Sequence, residues 1–314
     1  MIMKTIRTPT KLASLILFSL SLYLAMHKRM NNRRWFLWVS AMVGIIGAPL
    51  FISTLIHRNL GEQQPRMHAE SATGGVGVDV DVDASATSIQ LRAILHYATS
   101  QVVPQLSLAE ITLAFNVLQS LNRPANILVF GLGRDSLMWA GLNPRGKTVF
   151  LEDDPKWIQT VLKDAPDIRA HTVSYRTQVR EADELLSSYR SEAACWPGAA
   201  TLRGNERCRL ALHNLPDEVY ATEWDVVIID APKGYLAEMP GRMAPIYSAA
   251  VMARDRKGSG VTHVFLHNVD RKEEKAYSEE FLCRMNFVQV VGKLGHFQIP
   301  PMTNLTRAGD ATFC

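Results

Sequence analysis

From residue 88 onward the apolar positions follow two alternating rhythms. Leu91, Ile94, Leu95, Ala98 and Val102 recur at the spacing of a helix face, and Ser107 with Glu110 forms a capping box ahead of Ile111, Ala114, Phe115 and Leu118. Two helices are therefore expected before Pro124. Beyond it, short apolar runs at 126–130, 147–151, 169–174, 224–230 and 261–267 alternate with helical stretches at 135–142, 155–164, 178–188, 243–254 and 272–283. Asp154-Pro155 marks one helix start, an N-cap followed by proline in the first turn. This alternation predicts parallel strands joined by helical crossovers. The last runs, 287–291 and 296–300, are separated only by 292–295, too short for a crossover, so they are expected to pair as a hairpin and complete seven strands. Residues 189–221, with Trp196-Pro197-Gly198, are expected to form an inserted loop near the site.

Before residue 88 the pattern changes. Residues 35–56 are 22 positions without an ionisable side chain, and a helix of that length spans about 33 Å, enough for a bilayer core. Trp35 and Trp38 stand at its start, where amphipathic rings favour the interface. A single membrane span is expected there; the shorter run 12–26 can span, lie at the interface or belong to targeting. Lys28, Arg29, Arg33 and Arg34 lie between the two runs and by the positive-inside tendency face the cytosol, which sends residues 57–314 across the membrane. Residues 57–87, rich in Gly, Ala, Ser and Asp, are expected to be a flexible stem, with VGVDVDVD a solvated tether rather than a strand or a calcium loop. The expected organisation is a cytosolic 1–34, a transmembrane helix 35–56, a stem 57–87 and a folded domain 88–314.

The net charge of +4 conceals an asymmetry. Residues 1–58 hold eight of the 34 Lys and Arg and none of the acids, leaving 26 basic against 30 acidic residues after them. A net-acidic body repels phosphate backbones, so nucleic acid is excluded as an expected partner. Cys195 and Cys208 flank one loop-rich segment and can close a small disulfide loop, Cys283 and Cys314 both lie late in the chain, and free buried thiols are the alternative for each. Asn304-Leu305-Thr306 is a single glycosylation sequon.

The stretch 126-NILVFGLGRDSLMWAGLNPRGKTVFLEDDP-155 carries the candidate chemistry. Gly131 and Gly133 let the backbone turn sharply after the first strand and approach a ligand closely. Glu152 ends the next strand, where a carboxylate can accept hydrogen bonds from both hydroxyls of a ribose. In such a sheet ligands bind at the carboxyl ends of the central strands, so a nucleoside-like cofactor is expected. Asp135 is expected to cap the following helix. Ser136 occupies the third position of a Gly-x-Gly-x-x-Gly fingerprint, which weighs against a nicotinamide dinucleotide, whereas seven strands with a terminal hairpin point to the fold used for S-adenosylmethionine. Asp230, leaving the fourth strand, can orient an acceptor hydroxyl, take its proton or ligate a divalent metal, and serves equally as a turn former. His267 ends the fifth strand and is a candidate general base or substrate ligand, with His263 expected to point elsewhere. Lys233 and Arg242 can bind an acidic substrate or be solvated surface charges. Neither Gly-x-Ser-x-Gly nor paired metal-binding histidines occur, which argues against a serine hydrolase or zinc enzyme.

The phrases LHYATSQVVPQ, LVFGLGRDSLMWAGLNPRGKTVFLEDDPKWIQTVLKDAP, EWDVVIIDAPKGY, PGRMAPIYSAAVMARDRKGSGVTHVFLH and EEFLCR closely resemble the plant irregular xylem proteins, relatives of the glucuronoxylan 4-O-methyltransferases, over about residues 88–301. The resemblance implies a Golgi type II membrane protein with a lumenal domain, S-adenosylmethionine as cofactor, glucuronoxylan or a xylan precursor as acceptor, and a place in xylan synthesis for the secondary wall. The irregular xylem branch, which the phrases resemble more, is associated with xylan chain length, so a second expectation is a non-catalytic member of a xylan-synthesising complex. The family pattern after the fifth strand reads His-Asp-Val; here it is His267-Asn268-Val269. An amide takes no proton at neutral pH and brings no charge to a metal, so a base or ligand at that position would be lost.

Overall fold

Each central apolar run alternates its side chains between two faces, and both faces are covered by helices. The computed structural model describes residues 79–101, 103–197, 201–302 and 312–314. The expected spans at 12–26 and 35–56, most of the stem and the sequon at Asn304 lie outside the described residues. Among the described residues no helix is long and apolar enough to cross a membrane.

The strands are β1 (Asn126–Phe130), β2 (Lys147–Glu152), β3 (Arg169–Thr172), β4 (Val226–Ile229), β5 (Thr262–His267), β6 (Phe287–Val291) and β7 (Leu294–Ile299). They form one seven-stranded sheet in the order β3-β2-β1-β4-β5-β7-β6. The first five strands are parallel, while β7 runs antiparallel between β5 and β6. This is the expected mixed α/β methyltransferase-like sheet with its terminal hairpin. The hairpin turn is tighter than expected, with Val291 paired to Leu294 and only Gly292 and Lys293 between them. Gly292 has φ +57°, the left-handed conformation that two-residue hairpin turns require.

Leu128, Phe130, Leu151, Val227, Ile229 and Leu266 face one core, packed by α7 (Met243–Arg254), α5 (Ala182–Ser188) and the segment before α6 (Asp217–Ala221). Ile127, Val129, Phe150, Ile228 and Phe265 face the other, covered by α1 (Asp79–Thr99), α2 (Leu108–Ser120), α3 (Ser136–Leu142) and α4 (Pro155–Asp164). The remaining helix, α8 (Lys272–Tyr277), continues into a π-helical turn at Ser278–Cys283. The capping box of α2 and the Asp154 cap of α4 form as expected.

Three expectations are corrected. Helix α1 begins at Asp79, inside the stretch expected to be stem. It packs through Ala86, Ala93 and Tyr97, not through the Leu91, Ile94 and Leu95 stripe, which is exposed. Small residues win because a Cβ on Gly141 of α3 would sit 2.9 Å from Ala93 Cβ: the two helices meet too closely for leucine. Residues 189–221 are not a loop over the site. Cys195, Leu202, Cys208, Leu210 and Leu212 are core, a Cys195–Cys208 disulfide closes the segment, and hydrogen bonds from Tyr247 to the Cys195 carbonyl and from the Leu212 N–H to Ser248 dock it on α7. A second disulfide joins Cys283 to Cys314.

Candidate active site

Register decides what converges. Phe130 lies opposite Leu151 and Ile229, and Ile229 opposite Leu266, so the next residues along each strand, Gly131, Glu152, Asp230 and His267, share the carboxyl edge of the sheet. The chain leaves β1 first towards β2 and later returns to β4 on its other side. That reversal opens a crevice at the end of β1.

Gly131 adopts φ +118°, and a Cβ there would meet Ala231 Cβ at 3.0 Å. A Cβ on Gly133 would fall 2.8 Å from Asp135 Oδ1. Both glycines therefore keep the turn narrow, leaving backbone where side chains would fill the crevice. The turn is fixed to the acid expected to hold a ribose: Leu132 N–H donates to Glu152 Oε2 at 3.0 Å, while the Asp153 and Asp154 N–H groups both donate to Oε1 at 3.2 Å. Trp157 of α4 closes the same corner, its indole N–H donating to the Leu132 carbonyl. Burial raises the pKa of Glu152, and the neighbouring Asp153 adds to the rise.

Asp135 is not a cap. Its side chain makes no capping bond, and the Gly133 N–H instead donates to Ser136 Oγ at 2.9 Å. Asp135 Oδ2 accepts from the Trp139 indole at 2.7 Å. Burial raises its pKa, and the charge of Asp230 raises it further. A cap bond is local, whereas an indole one helical turn ahead offers a donor and pulls the carboxylate inward.

Asp230 and His267 meet directly, with Nδ1 of His267 2.7 Å from Asp230 Oδ1. Arg242 lies beneath them, nearly buried at 5 % exposure. Its guanidinium donates to the main-chain carbonyls of Asp230 and His267, to Asp230 Oδ1 at 3.0 Å and to Asn268 Oδ1 at 3.2 Å. Burial lowers the Arg242 pKa, and Asp230 and Glu274 oppose the fall. Arg242 is therefore neither a surface charge nor a free anion receptor: it ties the ends of β4 and β5 together. Asn268 sits at φ +57°, a conformation asparagine tolerates, and its amide serves Arg242. The departure from His-Asp-Val thus falls on a position that supports Arg242. Lys233 is exposed in the loop after β4. His263 pairs with His296 at the far end of β5, as expected for a residue away from the rim.

Glu110 was legible only as a capping residue. Its Oε2 closes the α2 box with Ser107, but its Oε1 accepts the Lys293 N–H from the β6–β7 turn at 2.8 Å and lies 4.0 Å from His267 Nε2. Burial alone would raise its pKa, but the Lys293 and Ser107 donors and His267 hold it below the ordinary glutamate value. Nothing local in the sequence joins residues 110 and 293.

The carboxylates of Glu152 and Asp230 stand on the sheet edge beside the glycine turn, which suits a ligand carrying a positive sulfonium and a nucleoside. These residues fit S-adenosylmethionine. They do not fit a divalent metal: Asp230 Oδ1 is already flanked by a guanidinium and an imidazole, and among the described residues no cluster of three or more His, Cys, Asp or Glu is arranged to hold one.

A model of the IRX15/IRX15L/GXM family matches residues 109–297. The chain is similar to arabinogalactan O-methyltransferase 1 of Arabidopsis thaliana, with 54% identity covering 90% of this chain and 98% of that protein. It is 43% identical to glucuronoxylan 4-O-methyltransferase 2 of the same plant over 66% of this chain and 70% of that one. With the protein IRREGULAR XYLEM 15, also of Arabidopsis thaliana, it shares 38% over 68% of this chain and 66% of that one. The balance therefore runs opposite to the nearness in wording read from the sequence phrases.

Proposed function

Because the chain belongs to the IRX15/IRX15L/GXM family, we propose that it is an S-adenosylmethionine-dependent polysaccharide O-methyltransferase with arabinogalactan as its first acceptor and glucuronoxylan as its second. The observation that carries this reading is the Asp230–His267 pair on the same sheet edge as the glycine turn and Glu152. The order of acceptors follows the higher identity and longer coverage of the arabinogalactan relative.

Glu152 and the main chain of 131–133 would hold the nucleoside. When bound, S-adenosylmethionine supplies a methyl group on a sulfonium. The chain's own residues manage the acceptor. A carboxylate accepts only, so the Asp230 contact places the imidazole proton on Nδ1 and leaves the Nε2 lone pair free to take the acceptor hydroxyl's proton. Asp230 balances the imidazolium that results, and Glu110, 4.0 Å from Nε2, adds a second negative charge. Arg242 fixes Asp230 and the His267 backbone so that the imidazole need not search for its position.

Residues 35–56 anchor this domain in the Golgi membrane with the fold in the lumen. The two disulfides support that placement, since such bonds persist in oxidising compartments. The test is methyl transfer by the full-length protein from labelled S-adenosylmethionine to arabinogalactan and to glucuronoxylan oligosaccharides. Methylation of arabinogalactan above xylan is expected. Cofactor binding without transfer to either would favour a non-catalytic role in a xylan-synthesising complex.

A further inference from the structure

After β3 the chain runs as a strap along the carboxyl edge of the sheet. It starts beside β2, where the Val173 N–H donates to the Glu152 carbonyl at 2.9 Å. It ends at the loop following β4, where Thr177 Oγ1 donates to the Pro240 carbonyl at 2.9 Å and the Val179 N–H to the Met239 carbonyl at 2.9 Å. Tyr175 lies midway along this strap, between the nucleoside acid and the Arg242 clamp. Its ring packs on the main core, but its hydroxyl is buried and, among the described residues, has no hydrogen-bond partner. Other buried tyrosine hydroxyls are satisfied: Tyr247 bonds the Cys195 carbonyl and Tyr277 the Ala182 carbonyl. A buried hydroxyl without a partner carries a desolvation cost that a merely structural tyrosine, replaceable by phenylalanine, would not need.

We propose that the Tyr175 hydroxyl is a binding contact for the ribose of the nucleoside cofactor, completing the hydrogen-bonding set begun by Glu152. The proposal rests on the cofactor reading above. The strap is bonded to the Glu152 carbonyl at one end and to the Pro240 and Met239 carbonyls at the other, which puts Tyr175 on the sheet edge that carries Glu152. Burial, with Asp153 and Glu152 adding to the effect, holds the phenol well above its ordinary pKa, so at neutral pH it is a donor. A ribose oxygen accepts such a bond, and a ribose hydroxyl is at the same time a donor to Glu152.

The test is isothermal titration of the full-length protein and its Tyr175→Phe variant with S-adenosylhomocysteine and with adenosine, alongside thermal melts without ligand. The variant is expected to bind both ligands about tenfold more weakly, the scale of one hydrogen bond, and to melt at or above the wild-type temperature because an unsatisfied hydroxyl has been removed. Equal affinity in the two proteins overturns the proposal while leaving the cofactor reading intact. A loss for S-adenosylhomocysteine but not for adenosine overturns the assignment to ribose. If the wild-type chain binds neither ligand, the cofactor reading fails and this contact with it.

Discussion

His267 Nδ1 lies 2.7 Å from Asp230 Oδ1 although 37 residues separate them in the chain, and the same carboxylate oxygen receives the buried Arg242 guanidinium at 3.0 Å. A carboxylate–imidazole hydrogen bond of this kind, held at the end of two adjacent parallel strands, gives the neutral imidazole a fixed tautomer and an open Nε2. His267→Gln and Asp230→Asn should each lower methyl transfer by about 10²- to 10⁴-fold, the usual weight of a positioned acid–base group. Calorimetry should show cofactor affinity unchanged in both. Retention of full activity by the His267 variant would remove the imidazole from the reaction.

Arg242 should behave as a structural ion rather than a substrate ligand. Arg242→Met leaves Asp230 and Glu274 without their shared cation, and breaking a buried pair costs about 3–5 kcal/mol. Denaturant titration should register that loss. A variant of native stability with only a raised acceptor KM would return Arg242 to the role of anion receptor.

The glycine turn makes a backbone prediction. Gly131→Ala forces a side chain into φ +118° and against Ala231 at 3.0 Å. The expected cost is about 1–3 kcal/mol, readable as a fall in melting temperature. Glu152→Ala, in contrast, removes the acceptor for the Leu132, Asp153 and Asp154 N–H groups as well as the ribose anchor. Its cofactor affinity should fall at least about tenfold, or 1.4 kcal/mol.

The buried His263–His296 pair sets an acid limit. Burial, reinforced by His263, lowers the His296 pKa to about 4. In the unfolded chain a histidine takes up its proton near pH 6.5. Between these values the unfolded state binds more protons, so stability is full above about pH 6.5, declines as pH falls towards 4, and loses nothing further from this group below that. His296→Gln should flatten the decline in melts recorded across this window. An unchanged slope would assign the acid sensitivity to other groups.

What could be read from the chain, and what could not, divides by distance. The strand and helix pattern was legible because each element's apolar period is written locally: Ile127 to Phe130 and Val226 to Ile229 bury both faces, and the capping box at Ser107 and the proline start at Pro155 are short-range signals. For the same reason the rim residues Gly131, Glu152, Asp230 and His267 were legible: each is the last residue of a strand or the one following it, and parallel strands put such positions on one edge. The sequence also determined the apolar character of residues 35–56 and the net-acidic balance after residue 58.

Only tertiary structure decided the partners. Asp135 fits a local cap, yet its carboxylate turns to the Trp139 indole once both are buried. Arg242 reads as a solvated charge until it is placed beneath two strand ends whose carbonyls need donors. Glu110 reads as a cap until the hairpin turn brings the Lys293 N–H to its free oxygen, and only the fold buries the Tyr175 hydroxyl where no described residue bonds it. The physical reason is common to all four. Backbone propensity and hydrophobic period act over a few residues, whereas the cost of burying a charge or a hydroxyl is set by whatever groups the fold brings beside it.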